Sequence, residues 1–315
     1  MTRALICGIG GQDGTFLAQF LLRKGYTVWG TSRDAQLATF DNLKKIGVFE
    51  NVTVLSMAPT DFRSVILAFE GSAPDEIYFL PGQSSVGLSF EQPAETLQST
   101  VLGVLNALEA VRFLGRSVRF YNASSSECFG DLGRVSATED SPFHPQSPYA
   151  VARASGHWLV ANYRDAYGLH ASNGILFNHE SHLRPQRFVT QKIISAVRRI
   201  KQNSKERLKL GRLDIVRDWG WAPEYVEAMW LMLQQEKPDD YIIATGEAHS
   251  LEEFVSCAFS QLGLSWKDHV DIDKSLFRPS DILWSQGNPE KAALRLGWSS
   301  RSRMQDIIKK MLNES

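Results

Sequence analysis

The chain has 315 residues, 43% of them hydrophobic and 22% charged, with a formal net charge of -1. That is ordinary for a globular chain of one to one and a half domains; it gives no overall field favouring nucleic acid or a membrane surface, and no apolar run nears the ~18–20 residues that span a bilayer. Met1-Thr2-Arg3 leads straight into a strand pattern without a signal-peptide signature, and Cys7, Cys128 and Cys257 are odd in number and far apart, so a reduced, cytoplasmic protein is expected.

Taken in order, Ala4 to Cys7 reads as a fully buried parallel strand, because four apolar residues run together. Gly8, Gly11 and Gly14 follow at G-x-x-G-x-x-G spacing, and apolar residues then recur at helical spacing from Phe16 to Lys24. A strand, glycines and a helix in that order suit a dinucleotide. The first glycine allows the turn, the second admits the pyrophosphate, and the third lets helix and strand pack closely. Tyr26 to Gly30 is the second strand. Beyond its end Arg33 and Asp34 are adjacent, a mixed sign. A cation there suits a 2′-phosphate and a carboxylate suits a free ribose hydroxyl, and Arg33 coming first favours NADP over NAD.

Further strands are expected at Val52 to Met57, Glu76 to Leu80, Val118 to Ser124, His170 to Phe177 and Tyr241 to Gly246. Helices are expected at Asp61 to Phe69, Ala94 to Leu114, from Tyr149 to Tyr167 with Gly168 as C-cap, Phe188 to Asn203, Pro223 to Gln235 and Arg303 to Leu312. Ser250 and Glu253 spell a capping box for one more helix. Strands alternating with helices, without hairpin signals, predict an α/β fold: a Rossmann-type doubly wound parallel sheet followed by a smaller mixed α/β part. His179-Glu180 lacks a second histidine one turn on, so no metal site is expected.

Chemistry concentrates between Val118 and Arg153. A strand ends in hydroxyls and a carboxylate, Ser125 and Glu127, and a helix then opens with Tyr149 and carries Arg153 four residues on. Residues i and i+4 share a helix face. A hydroxyl, a phenol, a cation and a carboxylate at one sheet edge make an acid–base site.

These segments, with Ser89-Phe-Glu-Gln-Pro93, Ser147 to Ala152, Gly174 to Ser181, Arg217-Asp-Trp-Gly220, Tyr225 to Gln235, Ala244-Thr-Gly246 and Phe277-Arg-Pro279, resemble the extended short-chain dehydrogenase/reductases acting on nucleotide sugars, and within them the GDP-mannose 4,6-dehydratases, over essentially the whole length. The resemblance implies a lyase that uses NADP to convert GDP-mannose into its 4-keto-6-deoxy sugar, with internal hydride transfer from C4 to C6. It implies Tyr149 as base for the C4 hydroxyl, Ser125 as hydrogen-bond partner of the C4 oxygen, Glu127 as the carboxylate for C5 and C6, and Arg153 beside the tyrosine.

By the same matching, Gly8, Gly11, Gln12, Asp13, Gly14, Arg33, Leu80, Gln83, Tyr149, Arg153 and His179 would hold the cofactor, and Ser84, Asn178, Val189, Lys192, Gly211, Arg217, Arg278 and Asp281 the GDP-sugar. The dinucleotide domain would comprise 1-178 and receive about 214-246; 179-213 and 247-315 would bind the nucleotide sugar. A homodimer through the two long helices, or a homotetramer, is implied. The chain departs from the family at Arg153 for lysine, Ser125 for threonine, Ala58 for aspartate and Asp281 for glutamate, and around Phe79, Pro81 and Gly82. Another nucleotide-sugar dehydratase, 4-reductase or epimerase, and a catalytically weakened nucleotide-binding relative, stay open as alternatives at this point.

Overall fold

The computed structural model describes residues 1–203 and 205–314. The chain begins with β1 (Arg3–Cys7), α1 (Gln12–Arg23), β2 (Thr27–Ser32), α2 (Asp41–Lys45), β3 (Val52–Ser56), α3 (Phe62–Ser72) and β4 (Glu76–Phe79). It continues through α4 (Val86–Glu91), α5 (Pro93–Leu97), α6 (Gly103–Leu114), β5 (Arg119–Ser125), α7 (Pro148–Tyr167) and β6 (His170–Leu176). Then come β7 (Asn178–Glu180), α8 (Val189–Gln202), β8 (Leu208–Leu210), β9 (Val216–Arg217), β10 (Trp219–Trp221), α9 (Ala222–Gln234) and β11 (Tyr241–Ile243). The last part holds β12 (His249–Ser250), α10 (Leu251–Ser260), β13 (Val270–Ile272), β14 (Trp284–Ser285), α11 (Glu290–Leu296) and α12 (Met304–Asn313).

Seven parallel strands form one sheet in the order β11-β6-β5-β4-β1-β2-β3. The chain winds outward from β1 to β3 and then restarts on the other side with β4. The switch therefore lies between β1 and β4, and ligands of such sheets bind beyond the carboxyl ends of the strands there. Both faces are buried. Ala4 and Ile6 of β1 pack with Tyr78 and Tyr121 under α1 and α9, while Leu5 and Cys7 pack with Ile77, Phe79 and Phe120 under α3, α6 and α7. This alternation is why β1 reads as a continuous apolar run.

A second core joins α8, α10 and α12 to β8 and β13 through residues such as Ile193, Phe254, Phe259 and Ile307. The sequence grouped 247-315 with this second unit, yet Ala292, Leu296 and Trp298 of the α11 region pack into the first core. Among the described residues no helix is long and apolar enough to cross a membrane.

Three local expectations change. The helix expected from Ala94 to Leu114 is α5 and α6 joined by a single π turn, Gln98–Leu102. Helix α4 has little sequence signal: Ser85 caps it by accepting from the Leu88 N–H at 3.3 Å, but its six residues carry hardly any periodicity. The segment beginning at Asn178, expected to be merely polar, is a strand whose partner is Trp219–Trp221. A three-residue strand has no period to read, and that pairing spans some forty residues of chain.

Candidate active site

Strand β5 ends in Ser125, whose Oγ accepts from the Glu127 N–H at 3.3 Å and caps the 3₁₀ turn Ser126–Phe129. The serine is buried and the carboxylate half-buried at the strand's carboxyl end. Helix α7 opens opposite. Ser147 accepts from the Ala150 N–H at 3.1 Å and Pro148 occupies the first turn, which starts the helix just before Tyr149. The Arg153 guanidinium carbon lies 5.4 Å from the Tyr149 ring centre, and its Nη1 donates to the Ala123 carbonyl at 2.8 Å.

Ser125, Glu127, Tyr149 and Arg153 line one cleft of about 360 Å³. Ser84, Asn178, Val189, Lys192, Gly211, Arg217, Arg278 and Asp281 line the same cleft, as do Asp13, Leu80 and His179. Gly8, Gly11, Gln12, Gly14, Arg33 and Gln83 lie outside this lining. The Gln83 amide is turned back on its own loop, donating to the Ser85 carbonyl at 2.7 Å. Arg33 is exposed at the end of β2.

The glycine turn can be tested against a dinucleotide directly. A Cβ on Gly14 would sit 2.5 Å from the Gly8 carbonyl oxygen, so helix and strand pack there as only glycine permits. Gly11 is exposed, with no side-chain cap on the α1 N-terminus it precedes. Free N–H groups and the positive end of the helix dipole are thus open to an anion.

Gln12, Asp13 and His179 form one network. His179 Nε2 lies 2.9 Å from Asp13 Oδ2 and its Nδ1 lies 2.7 Å from the Phe177 carbonyl oxygen, so both ring nitrogens are engaged. Gln12 donates to the His179 carbonyl and accepts from Ser181. Burial alone would raise the Asp13 carboxyl, but the His179 charge and hydrogen bond outweigh it and hold Asp13 at about 2. Burial alone would lower the His179 imidazole; Asp13 outweighs it and raises His179 above 6.5.

The pair therefore stabilises the fold fully below the unfolded histidine value and loses that contribution as pH rises through the folded one. At the acid end the contribution is present above the ordinary aspartate value and is lost as pH falls towards about 2. As pH is raised from below to well above the ordinary histidine value, urea denaturation should show wild type losing more stability than His179→Gln. Equal losses would assign the pair no such role.

The same cleft is lined by cations. Arg217 is buried, with Nη1 donating to the Val216 carbonyl at 2.9 Å. Burial lowers its pKa, the nearby Glu127 carboxylate opposes that, and Arg278 adds to the lowering by repulsion. Next to it Asp218 accepts from Thr245 N–H and Oγ1 and from the Gly246 N–H at 2.7–2.9 Å, and burial pushes this carboxyl up to about 6. These bonds end β11 at Ile243, short of Gly246, and fix the backbone that carries Arg217.

Sequence reasoning missed Arg184, Arg187 and Arg212, which also face the cleft. Arg184 rests 3.8 Å over the Phe188 ring and 3.3 Å from Glu180, and Arg187 reaches Ser84 at 3.5 Å. Their only signal was the polar stretch between Asn178 and Phe188; that it folds over the cleft is a tertiary fact. In all, seven arginines and lysines face four carboxylates in the lining, although the whole chain carries -1. The local excess suits an anionic ligand with several phosphates.

The profile of the family described as GDP-mannose 4,6 dehydratase matches residues 5–311. Two Arabidopsis thaliana proteins, GDP-mannose 4,6 dehydratase 1 and 2, are 46% and 47% identical to this chain over 321 residues, covering 99% of it and 89% and 86% of themselves. Among solved structures, that of Thermus thermophilus UDP-glucose 4-epimerase in complex with NAD superposes with a TM-score of 0.88 at 24% identity, covering 99% of this chain and 98% of its own, which shows a common fold. With a match of nearly half the positions along nearly the full length, the chain belongs to the GDP-mannose 4,6-dehydratase family.

Proposed function

We propose that this protein is an NADP-dependent hydro-lyase that dehydrates GDP-mannose to GDP-4-keto-6-deoxy-mannose. The observation that carries the reading is the convergence of Ser125, Glu127, Tyr149 and Arg153 on one cleft whose lining is otherwise rich in cations. Residues 1-178 with 214-246 would bind the dinucleotide, and 179-213 with 247-315 would contribute the sugar-nucleotide wall.

Tyr149 takes the C4 hydroxyl proton while Ser125 donates a hydrogen bond to the C4 oxygen. When bound, the nicotinamide cofactor would supply one chemistry, a hydride acceptor for C4 and a hydride donor for C6. Glu127 removes the C5 proton, which the new 4-ketone makes acidic, and delivers it to the C6 hydroxyl, which leaves as water. A proton returned at C5 balances the one Tyr149 removed. Arg153 keeps positive charge beside the phenol, and Arg217, Arg278 and Lys192 hold the pyrophosphate. An epimerase acting at C4 alone would have no use for a carboxylate placed as Glu127 is. The test is incubation of purified protein with GDP-mannose and NADP. A product lighter by one water and carrying a 4-ketone supports the reading; an unchanged substrate overturns it.

The preference for NADP has its own support. Asp34 Oδ1 accepts from the Gln36 and Leu37 N–H groups at 2.9 and 3.0 Å, so this carboxylate serves its own loop. Arg33 is exposed and has no ion-pair partner among the described residues. Arg33→Ala is expected to weaken NADP about tenfold or more, the loss of one charge-assisted contact, and to leave NAD affinity unchanged. Parallel loss of both, by titration calorimetry, would remove Arg33 from the 2′-phosphate.

Helices α5 to α7 carry exposed apolar side chains: Leu97, Leu102 and Phe113 on one stretch, Val151 and Trp158 seven residues apart on the other. Exposed apolar side chains on these helices suit a homodimer through paired helices. Trp158→Glu should convert a dimer to a monomer in light scattering; an unchanged mass would place the contact elsewhere.

A further inference from the structure

We propose that Gly82 and Thr100 form a socket that seats the Arg153 guanidinium, and that both act as positioning residues for a site built around arginine. This deepens the proposed function, since it is that reading which makes Arg153 the partner of Tyr149.

The guanidinium is buried and held on one side only by a hydrogen bond, from Nη1 to the Ala123 carbonyl. Its other side meets backbone. Gly82 has φ +128, and a Cβ built there would lie 3.2 Å from Arg153 Nη2, 3.6 Å from Cζ and 3.0 Å from Thr100 Oγ1. No side chain fits at 82 without pressing on the guanidinium. Thr100 comes from the π turn between α5 and α6, and its Oγ1 borders the same space over Gly82 that the guanidinium does. Its Oγ1 is buried without a hydrogen-bond partner, and so is Arg153 Nε. Buried polar atoms normally pair, and exceptions gather where a structure serves function.

Arg153 lines the cleft whereas Gly82 and Thr100 do not, so they act from behind it. A lysine would bring one compact ammonium on a thinner stem and leave the space over Gly82 unfilled. The two unusual positions, a side-chain-free residue at 82 and a planar cation at 153, are therefore one device.

The experiment is a double-mutant cycle of Gly82→Ala and Arg153→Lys on the holoprotein, with Thr100→Val beside it. Gly82→Ala should lower kcat by about 10–100-fold, the cost of moving a positioned group by roughly 1 Å, with little change in KM for GDP-mannose. Adding Arg153→Lys should then cost far less than in the wild-type background, and the double variant should exceed the product of the singles by at least about tenfold. Thr100→Val, which keeps its volume, should lose a smaller factor that also shrinks when residue 153 is lysine. Strain at φ +128 is a backbone matter that a shorter residue 153 would not relieve, so it predicts additive losses.

The same cycle is run on the urea midpoint without sugar nucleotide. A wild type that makes no keto sugar would sink the proposed function while leaving this second cycle to judge the socket. Additivity in the stability cycle, or in both, overturns the socket.

Discussion

Glu127→Gln is expected to lower turnover of GDP-mannose by about 10²–10⁴-fold, the range that a positioned general acid–base contributes. Glutamine keeps the size of the side chain and its amide cannot take a proton from C5. The half-buried carboxylate sits inside the 3₁₀ turn that Ser125 caps at the end of β5. Oxidation at C4 does not need it. The variant should still reduce its bound cofactor when GDP-mannose is added and should accumulate that reduced state. In D₂O it should fail to place deuterium at C5. Deuterium at C5 together with near-normal turnover would move the proton traffic to another residue.

Arg217→Met is expected to weaken GDP-mannose binding by about 30-fold or more, since truncating one partner of a desolvated charge pair costs about 2–5 kcal/mol. The effect should fall on KM and on GDP affinity, with kcat changed less, because on the proposed reading this cation would meet the carried diphosphate rather than the reacting carbons. A second sign accompanies it. Without ligand, Arg217 is a buried cation with no salt bridge of its own among the described residues, and the attraction of Glu127 does not offset the burial of its charge. Burial penalises that charge, so removing it should not lower the melting temperature of the ligand-free protein. GDP should then raise the melting temperature of wild type and barely move that of the variant. A destabilised variant with unchanged GDP affinity would make Arg217 a structural residue.

Much of the first half was legible because local rules and tertiary outcome agree. Gly14 has to be glycine on steric grounds, with 2.5 Å from a Cβ to the Gly8 oxygen, and the spacing alone announced it. Tyr149 and Arg153 share a face because helices repeat as they do, and Ser147-Pro148 marks where that helix starts. The parallel sheet followed from strands that are apolar on both sides, such as Ala4 to Cys7.

What the sequence could not give depends on residues far apart in the chain. Asp13 and His179 are 166 positions apart and read separately as cofactor contacts; folding makes them one another's partners. Gln83 carries a polar amide in a promising loop, and only the tertiary structure shows that it bonds to the Ser85 carbonyl. Arg184 and Arg187 read as loop charges until the loop lies over the cleft. The α11 region follows the substrate segment in sequence, yet Trp298 is buried against α9, donating to the Glu224 carbonyl at 2.9 Å. The sequence by itself determined the strands of the sheet, the glycine turn and the Tyr149–Arg153 face, because each is set by residues within a turn or a strand of one another. The tertiary structure decided which charges meet, where the cleft gathers its cations and what lies behind Arg153, because burial and Coulomb interactions depend on distance in space and are indifferent to distance along the chain.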